Sequence, residues 1–84
     1  MLNSVSVSKP AAKFLRHIRD KKLYERLCLA INGLKENPYP PESVKLAGTE
    51  NQYRIRVGNY RILYEVIGTV LMIHAIGHRR EIYR

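Results

Sequence analysis

Three arginines in the middle of the chain are the residues whose type and spacing best suit the binding of an anion. Residues 52–66 read as two strands joined by a two-residue turn at Gly58-Asn59, because apolar residues alternate on both sides of that pair. With this turn, Arg56 lies opposite Arg61, and both share one face of the strand pair with Arg54. Like charges opposite each other weaken a strand pair, so the arrangement indicates a function. The planar guanidinium suits phosphate particularly well, which makes phosphate the expected ligand.

The same turn predicts which residues of the two strands face the protein core. Gly58 supplies the positive φ that such a turn requires, and Asn59 tolerates the left-handed region better than most residues. The expected pairs on the core side are Val57 with Tyr60, Ile55 with Ile62 and Tyr53 with Tyr64.

Length and composition predict one small domain in a reducing cytoplasm. The 84 residues suit a single domain, residues 1–84, and the apolar fraction of 45% is ordinary for a globular protein. With Cys28 as its one cysteine, the sequence offers neither a disulfide framework nor a metal-ligand set, and its three histidines are too scattered for a metal site. We expect no signal peptide and no membrane span, because the chain lacks a basic start before an apolar stretch and any run of about eighteen apolar residues.

The net charge of +8 favours nucleic acid or another acidic partner. All six lysines lie at or before Lys45, and every cation beyond that position is an arginine. Lysine is the usual solubilising cation, whereas arginine suits bidentate recognition, so the second half of the chain is expected to carry the function.

The order of elements predicts an α+β fold, β-α-α-β-β-β, in which a two-helix hairpin packs on one face of a small, mainly antiparallel sheet. The first half of the chain is expected to form a strand over residues 3–8 with Val5 and Val7 facing inward, a helix capped by Ser8, a turn at Asp20-Lys21-Lys22 and a second helix over residues 23–34 that ends at Asn37-Pro38. The second half is expected to form an edge strand over residues 44–46, the two strands of residues 52–66, and a last strand over residues 70–76 that Gly77 breaks.

Chemistry is expected on the sheet face opposite the helices, here called the outer face. A turn at Gly68-Thr69 predicts that Val66 pairs with Leu71, Tyr64 with Ile73 and Leu63 with His74. Counted outward from the turns, the outer face carries Arg54, Arg56, Arg61, Leu63, Glu65, Met72, His74, Ile76 and, at its end, His78. Arg79 and Tyr83 follow the last strand, close enough in sequence to fold over this surface.

Three segments of the sequence together resemble the RelE/ParE superfamily of toxins from toxin–antitoxin pairs. They are Lys45-Leu46-Ala47-Gly48, the whole of residues 53–66, and Gly77-His78-Arg79-Arg80-Glu81-Ile82-Tyr83. The order of elements fits the same family, so the resemblance covers nearly the whole chain. In this superfamily, RelE-like members cut mRNA in the ribosomal A site, whereas ParE-like members share the fold but poison DNA gyrase.

The RelE resemblance implies an endoribonuclease that needs no metal or other cofactor. In the implied reaction, the 2′-hydroxyl attacks the adjacent phosphate and leaves a 2′,3′-cyclic phosphate and a 5′-hydroxyl. The implied roles place Arg54 and Arg56 at the two basic positions of a strand, Arg61 on the scissile phosphate, Arg79 at the position after the last strand, and Tyr83 where it orients or stacks on the substrate.

The general base differs from that of the best-known RelE-like proteins, which carry lysines at the positions of Arg54 and Arg56. Arginine stays protonated and does not readily accept the proton of a 2′-hydroxyl. Histidine titrates near neutrality, so His78 is the first candidate for the base and His74 the second.

The resemblance also implies a cognate antitoxin, the ribosome and mRNA as partners, and a possible toxin–antitoxin hetero-oligomer. A cationic groove with an apolar rim of Leu63, Met72 and Ile76 suits an acidic segment that folds as it binds. Three alternatives stay open: a ParE-like toxin that binds gyrase without enzymatic activity, a weakened or inactive RelE relative, and a basic nucleic-acid-binding domain.

Overall fold

The structure of the chain, a computed structural model, describes residues 2–78. Two helices, α1 (Lys9–Arg16) and α2 (Lys21–Glu36), lie on one face of a five-stranded sheet. The strands are β1 (Ser4–Val7), β2 (Val44–Lys45), β3 (Gln52–Val57), β4 (Tyr60–Ile67) and β5 (Val70–His78), in the spatial order β1-β5-β4-β3-β2. β1 runs parallel to β5, and the other neighbouring pairs are antiparallel. The predicted fold class is therefore confirmed.

Both helices begin at a side-chain cap that satisfies one of their unpaired N–H groups. The Ser8 hydroxyl accepts a bond from the Ala11 N–H at 3.2 Å, as the sequence predicts, and the Asp20 carboxylate accepts one from the Leu23 N–H at 3.2 Å. Because Asp20 is a cap, α2 begins at Lys21, and the predicted turn at Asp20-Lys21-Lys22 is wrong. Within residues 2–78, no helix is long and apolar enough to cross a membrane.

The core lies between the helices and the sheet. Leu27, Ile31 and Leu34 follow helical spacing along α2 and are buried, as are the sheet residues Ile55, Ile62, Tyr64, Leu71 and Ile73. Tyr64 is fully buried, and its hydroxyl donates a 2.6 Å hydrogen bond to the Pro38 carbonyl. This bond ties the centre of the sheet to the segment that follows α2.

The register of the β3–β4 hairpin is as predicted. Arg56 lies opposite Arg61, Ile55 opposite Ile62 and Tyr53 opposite Tyr64. Gly58 has a φ of 62° and Gly68, at the next turn, a φ of 60°, while no described residue other than glycine has a positive φ. Positive φ at the first turn residue alone is the pattern of a type II′ turn, so Asn59 does not use the left-handed region.

The β4–β5 pairing departs from the predicted register at one residue. Val66 pairs with Leu71 and Tyr64 with Ile73, as expected, but Leu63 pairs with Ala75, and the predicted pairing of Leu63 with His74 is wrong. His74 is thus one extra residue in β5, which makes a β-bulge.

The bulge reverses the alternation of side chains over the rest of β5. Ile76 pairs with Ile62 and is buried in the core, so its predicted place on the outer face is wrong. The strand also runs through Gly77 to His78, where the sequence predicts an end at Gly77.

Two smaller differences concern the edge strands. Val7 pairs with the buried Ile73 and so lies on the core side, as predicted, but at the edge of the sheet it is still 38% exposed. The predicted edge strand over residues 44–46 is present as β2, one residue shorter.

Replacing Tyr64 with Phe tests the buried hydroxyl. Loss of the bond to Pro38 should lower the free energy of unfolding by about 1 kcal/mol, measured by urea denaturation near neutral pH. Burial raises the pKa of Tyr64 to about 12, from 10.0. The folded state therefore holds this proton more tightly than the unfolded chain, and the contribution is present below pH 10 and lost as the pH rises towards 12.

The stability difference between wild type and Tyr64→Phe should consequently narrow above about pH 10. Tyr39→Phe is the matched control, because this ring is 53% exposed. A difference that stays constant up to pH 12 would contradict the assignment.

Replacing Arg56 with Thr tests the cost of two arginines opposite each other. Removal of the like charge facing Arg61 should raise the free energy of unfolding by roughly 0.2–1 kcal/mol, measured by thermal denaturation at low ionic strength. The gain should shrink near about 1 M salt, where the Debye length is about 3 Å. Lys45→Thr is the matched control for the higher strand propensity of threonine. An equal increase in the free energy of unfolding in both variants would show that the opposed charges do not destabilise the hairpin.

Candidate functional site

The three arginines of the hairpin share the outer face, as predicted. Arg56 and Arg61 are cross-strand partners, and Arg54 is opposite Leu63. Residues on the same side of neighbouring strands are close enough for their side chains to meet over one ligand. Arg56 is exposed, whereas Arg54 and Arg61 are half-buried.

A hydrogen bond to the turn restrains Arg56. Its Nε donates to the carbonyl of Gly58 at 2.9 Å. This bond uses one of the five N–H donors of a guanidinium, so the group retains further donors for an anion. The hairpin turn thus sets the register of the arginines and also holds one of them in place.

His74 and Glu65 both lie on the outer face, as predicted, and their side chains form a pair there. The Nε2 atom of His74 lies 2.7 Å from a carboxylate oxygen of Glu65 on β4. The His74 side chain is 38% exposed and the Glu65 side chain 21% exposed. Both groups are therefore accessible from the outer face, on the same side of the sheet as the arginines.

A serine at the start of α1 holds the backbone of the bulge. The Ser8 hydroxyl donates to the carbonyl of His74 at 2.6 Å, and the Ser8 N–H donates to the carbonyl of Ile73 at 2.9 Å. The same hydroxyl caps α1 through Ala11. One residue therefore joins the first helix, the end of β1 and the bulge.

Small residues on β5 lie beside the arginines of the hairpin. Ala75 pairs with Leu63, and Gly77 pairs with Arg61. Gly77 has no side chain and Ala75 carries a single methyl group, so β5 adds little side-chain bulk beside Leu63 and Arg61.

His78 is on the other side of the sheet from Arg61, so its predicted place at the end of the outer face is wrong. It pairs with Tyr60, and the two rings meet edge to face with centroids 5.5 Å apart. Tyr60 in turn contacts Phe14 of α1, with ring centroids 5.9 Å apart. These contacts place the His78 ring with the helices.

Two of the predicted site residues, Arg79 and Tyr83, lie outside the described residues and stay predictions. Glu65 is the site residue that sequence reasoning did not propose for the reaction. A signal for its pairing with His74 does exist in the spacing of the large apolar residues Leu71, Ile73 and Ile76, which changes from two to three. Such a change is what a one-residue bulge produces.

The described residues contain no group of three or more histidine, cysteine or acidic side chains arranged to hold a metal ion.

A groove of about 650 Å³ opens on the helix side, with Phe14, Ile18, Leu23 and Tyr60 among the residues that line it. The outer face therefore combines the fixed cations with the histidine–carboxylate pair, and the groove is a separate feature.

Comparison with known proteins agrees with this architecture. The sequence model of the family described as "ParE toxin of type II toxin-antitoxin system, parDE" matches residues 5–83. Toxin RelE3 of Methanocaldococcus jannaschii is 43% identical over 68 residues, which span 80% of this chain and 75% of that protein.

Two solved archaeal structures have the same fold. A chain of the archaeal RelE–RelB complex from Pyrococcus horikoshii OT3 matches with a TM-score of 0.80 and 31% identity, covering 96% of this chain and 99% of that chain. The RelB–RelE antitoxin–toxin complex from Methanococcus jannaschii matches with a TM-score of 0.75 and 32% identity, covering 93% and 94%. This chain belongs to the RelE/ParE superfamily of toxins of type II toxin–antitoxin systems.

Proposed function

We propose that this toxin is a ribosome-dependent endoribonuclease that cuts mRNA in the A site and so inhibits translation. The observation that carries the proposal is the set of three arginines from two neighbouring strands on one sheet face, two of them directly opposite each other. This arrangement weakens the hairpin and suits a phosphodiester. The similarity to Toxin RelE3 supports the RelE side of the superfamily.

The proposed reaction is an attack of the 2′-hydroxyl on the adjacent phosphorus. Negative charge increases on the phosphorane oxygens as the O2′–P bond forms and the P–O5′ bond breaks. Arg54, Arg56 and Arg61 stabilise that charge, because fixed guanidiniums on a sheet need little rearrangement during the step. The ribosome contributes by holding the mRNA backbone in the bent geometry that aligns the attack.

The proposed protein partner is an antitoxin. Two of the similar solved structures are described as RelE–RelB and RelB–RelE antitoxin–toxin complexes, which supports a partner of this kind. An acidic segment bound to the outer face would neutralise the arginines and exclude mRNA from them. We place the free toxin and its complex in the cytoplasm, where translating ribosomes are found.

The name of the matching family favours a second candidate function. The family model is described as ParE toxin, and ParE-like proteins act on gyrase without cutting nucleic acid. On that alternative, the arginines of the outer face would contact an acidic protein surface. The two functions differ in a directly measurable product, namely cut mRNA.

Cleavage by an Arg61→Ala variant in a translating extract tests the proposal. Wild-type toxin should cut a defined mRNA within A-site codons, mapped by primer extension, and Arg61→Ala should cut about 10²–10³-fold more slowly because one charge-stabilising group is lost. Lys45→Ala is the matched control, since it removes one exposed strand cation outside the outer face and should cut at the wild-type rate.

A wild-type cleavage rate in Arg61→Ala would show that Arg61 does not take part in the reaction. If wild type leaves mRNA intact, the ribonuclease proposal fails. Inhibition of purified gyrase in a supercoiling assay would then support the second function.

A further inference from the structure

The pairing of His74 with Glu65 has the form of a positioned acid–base group. Glu65 Oε1 contacts Nε2 of His74, and among residues 2–78 no group bonds the other ring nitrogen, Nδ1. A carboxylate bonded to one imidazole nitrogen favours the tautomer that carries the proton on that nitrogen. Nδ1 is then the nitrogen with the lone pair, and the half-exposed ring can present it to a ligand.

The bulge fixes where this imidazole stands. Ser8 binds the carbonyls of Ile73 and His74 through its N–H and its hydroxyl, which holds the extra residue from the helix side. Glu65 binds the ring on the outer face. The backbone and the side chain of His74 are therefore each restrained, as a group that transfers protons in a defined direction requires.

The ring also lies within reach of the arginines. Leu63 is the central residue, with Arg54 opposite it on β3 and Ala75, the neighbour of His74, opposite it on β5. Adjacent strands are about 4.8 Å apart, so the backbones of Arg54 and His74 are separated by about 10 Å across β4. Side chains of their lengths can converge on one phosphodiester above Leu63, and Arg61 lies two residues along β4 on the same face.

We propose that His74 is the general base of RNA cleavage and that Glu65 is the residue that positions it. This inference rests on the ribonuclease function proposed above and names the group that takes the proton. Nδ1 of His74 accepts the proton of the 2′-hydroxyl as O2′ bonds to phosphorus. The P–O5′ bond breaks, and the departing 5′-oxygen takes a proton from water. The products are a 2′,3′-cyclic phosphate, a 5′-hydroxyl and an imidazolium that returns its proton to solvent.

The other candidates for the base, Arg54, Arg56 and His78, serve this role less well. An arginine side chain does not act as a proton acceptor in proteins, which rules out Arg54 and Arg56. His78 contacts Tyr60 on the helix side of the sheet, away from Arg61. His74 is the histidine on the face that carries the arginines.

The variant His74→Gln tests the base directly. The glutamine amide can still donate to Glu65 but cannot take a proton, so the fold is kept and the base is lost. Single-turnover cleavage on programmed ribosomes should fall about 10²–10⁴-fold, with the half-saturating ribosome concentration unchanged. His78→Gln is the matched control and should cut at a rate near that of wild type.

The pH dependence separates a base from a structural group. Wild-type cleavage should decline at acid pH as an imidazole is protonated, and the residual activity of His74→Gln should lack this decline. The charged described groups that face His74 on the outer face are Glu65 on β4 and, beyond Leu63, Arg54 and Arg61. Its β1 neighbours on this face are the uncharged Ser4 and Ser6, while α1 packs on the other face.

The positioning role of Glu65 requires a double mutant. Glu65→Gln alone should slow cleavage by about 10-fold or more through loss of the preferred tautomer. Added to His74→Gln, it should cause no further loss, because the group that it positions is already gone. Equal losses in both backgrounds would overturn the positioning role.

A measurement without RNA checks the same geometry. In ¹H–¹⁵N spectra of the isolated toxin, neutral His74 should carry its proton on Nε2, and Glu65→Gln should weaken that preference. A proton on Nδ1 would overturn the inference.

The outcomes distinguish this inference from the proposed function on which it rests. If wild type cuts, Arg61→Ala does not and His74→Gln cuts at the wild-type rate, the inference is overturned while the ribonuclease function stands. If the wild-type toxin does not cut, both the ribonuclease function and the role of His74 as its base are contradicted. Slower mRNA cleavage by His74→Gln, together with a wild-type cleavage rate for His78→Gln, identifies His74 as the base.

Discussion

The arrangement of this toxin depends on one extra residue in β5, the strand that lies between β1 and β4 in the sheet. His74 has no partner of its own on β4, since Leu63 pairs with Ala75 and Tyr64 with Ile73. His74 lies on the outer face, as alternation predicts, and the bulge leaves it without a β4 partner and brings Ala75 opposite Leu63. Beyond the bulge the alternation is reversed, so Ile76 lies in the core.

The interactions of the bulge tie the candidate site to the folding of the domain. Ser8 caps α1 and binds the backbone at His74, so the helix start and the site share one hydroxyl. On the other side of the sheet, Tyr64 is buried against the segment after α2. These bonds join the helices, the core and the outer face, and burial of the core residues of the hairpin offsets the repulsion between its opposed arginines.

The sequence predicted the structure correctly where a local turn sets the pairing of two strands. The two glycine turns fix their hairpins, which is why the pairs around Gly58-Asn59 and the first pairs after Gly68-Thr69 are as predicted. Counting outward from a turn assumes that no residue is inserted, so it failed beyond Ile73, and Ile76 and His78 were placed on the wrong face. Asp20 was read as a turn residue although aspartate is a favoured helix cap. Alternation correctly placed His74 and Glu65 on the outer face, whereas the 2.7 Å contact between their side chains depends on rotamers that the sequence pattern does not specify.

We propose that the outer face directs a 2′-hydroxyl against its own phosphodiester, and the chemistry of the RNA ends tests this reaction most directly. Ribosomes would be programmed with an mRNA that carries a single 2′-deoxynucleotide on the 5′ side of the cut, beside the all-ribose mRNA. We expect the all-ribose mRNA to yield a 2′,3′-cyclic phosphate and a 5′-hydroxyl, and the deoxy-substituted mRNA to stay intact at that position. Cutting of the substituted mRNA, or ends with a 5′-phosphate, would contradict this mechanism.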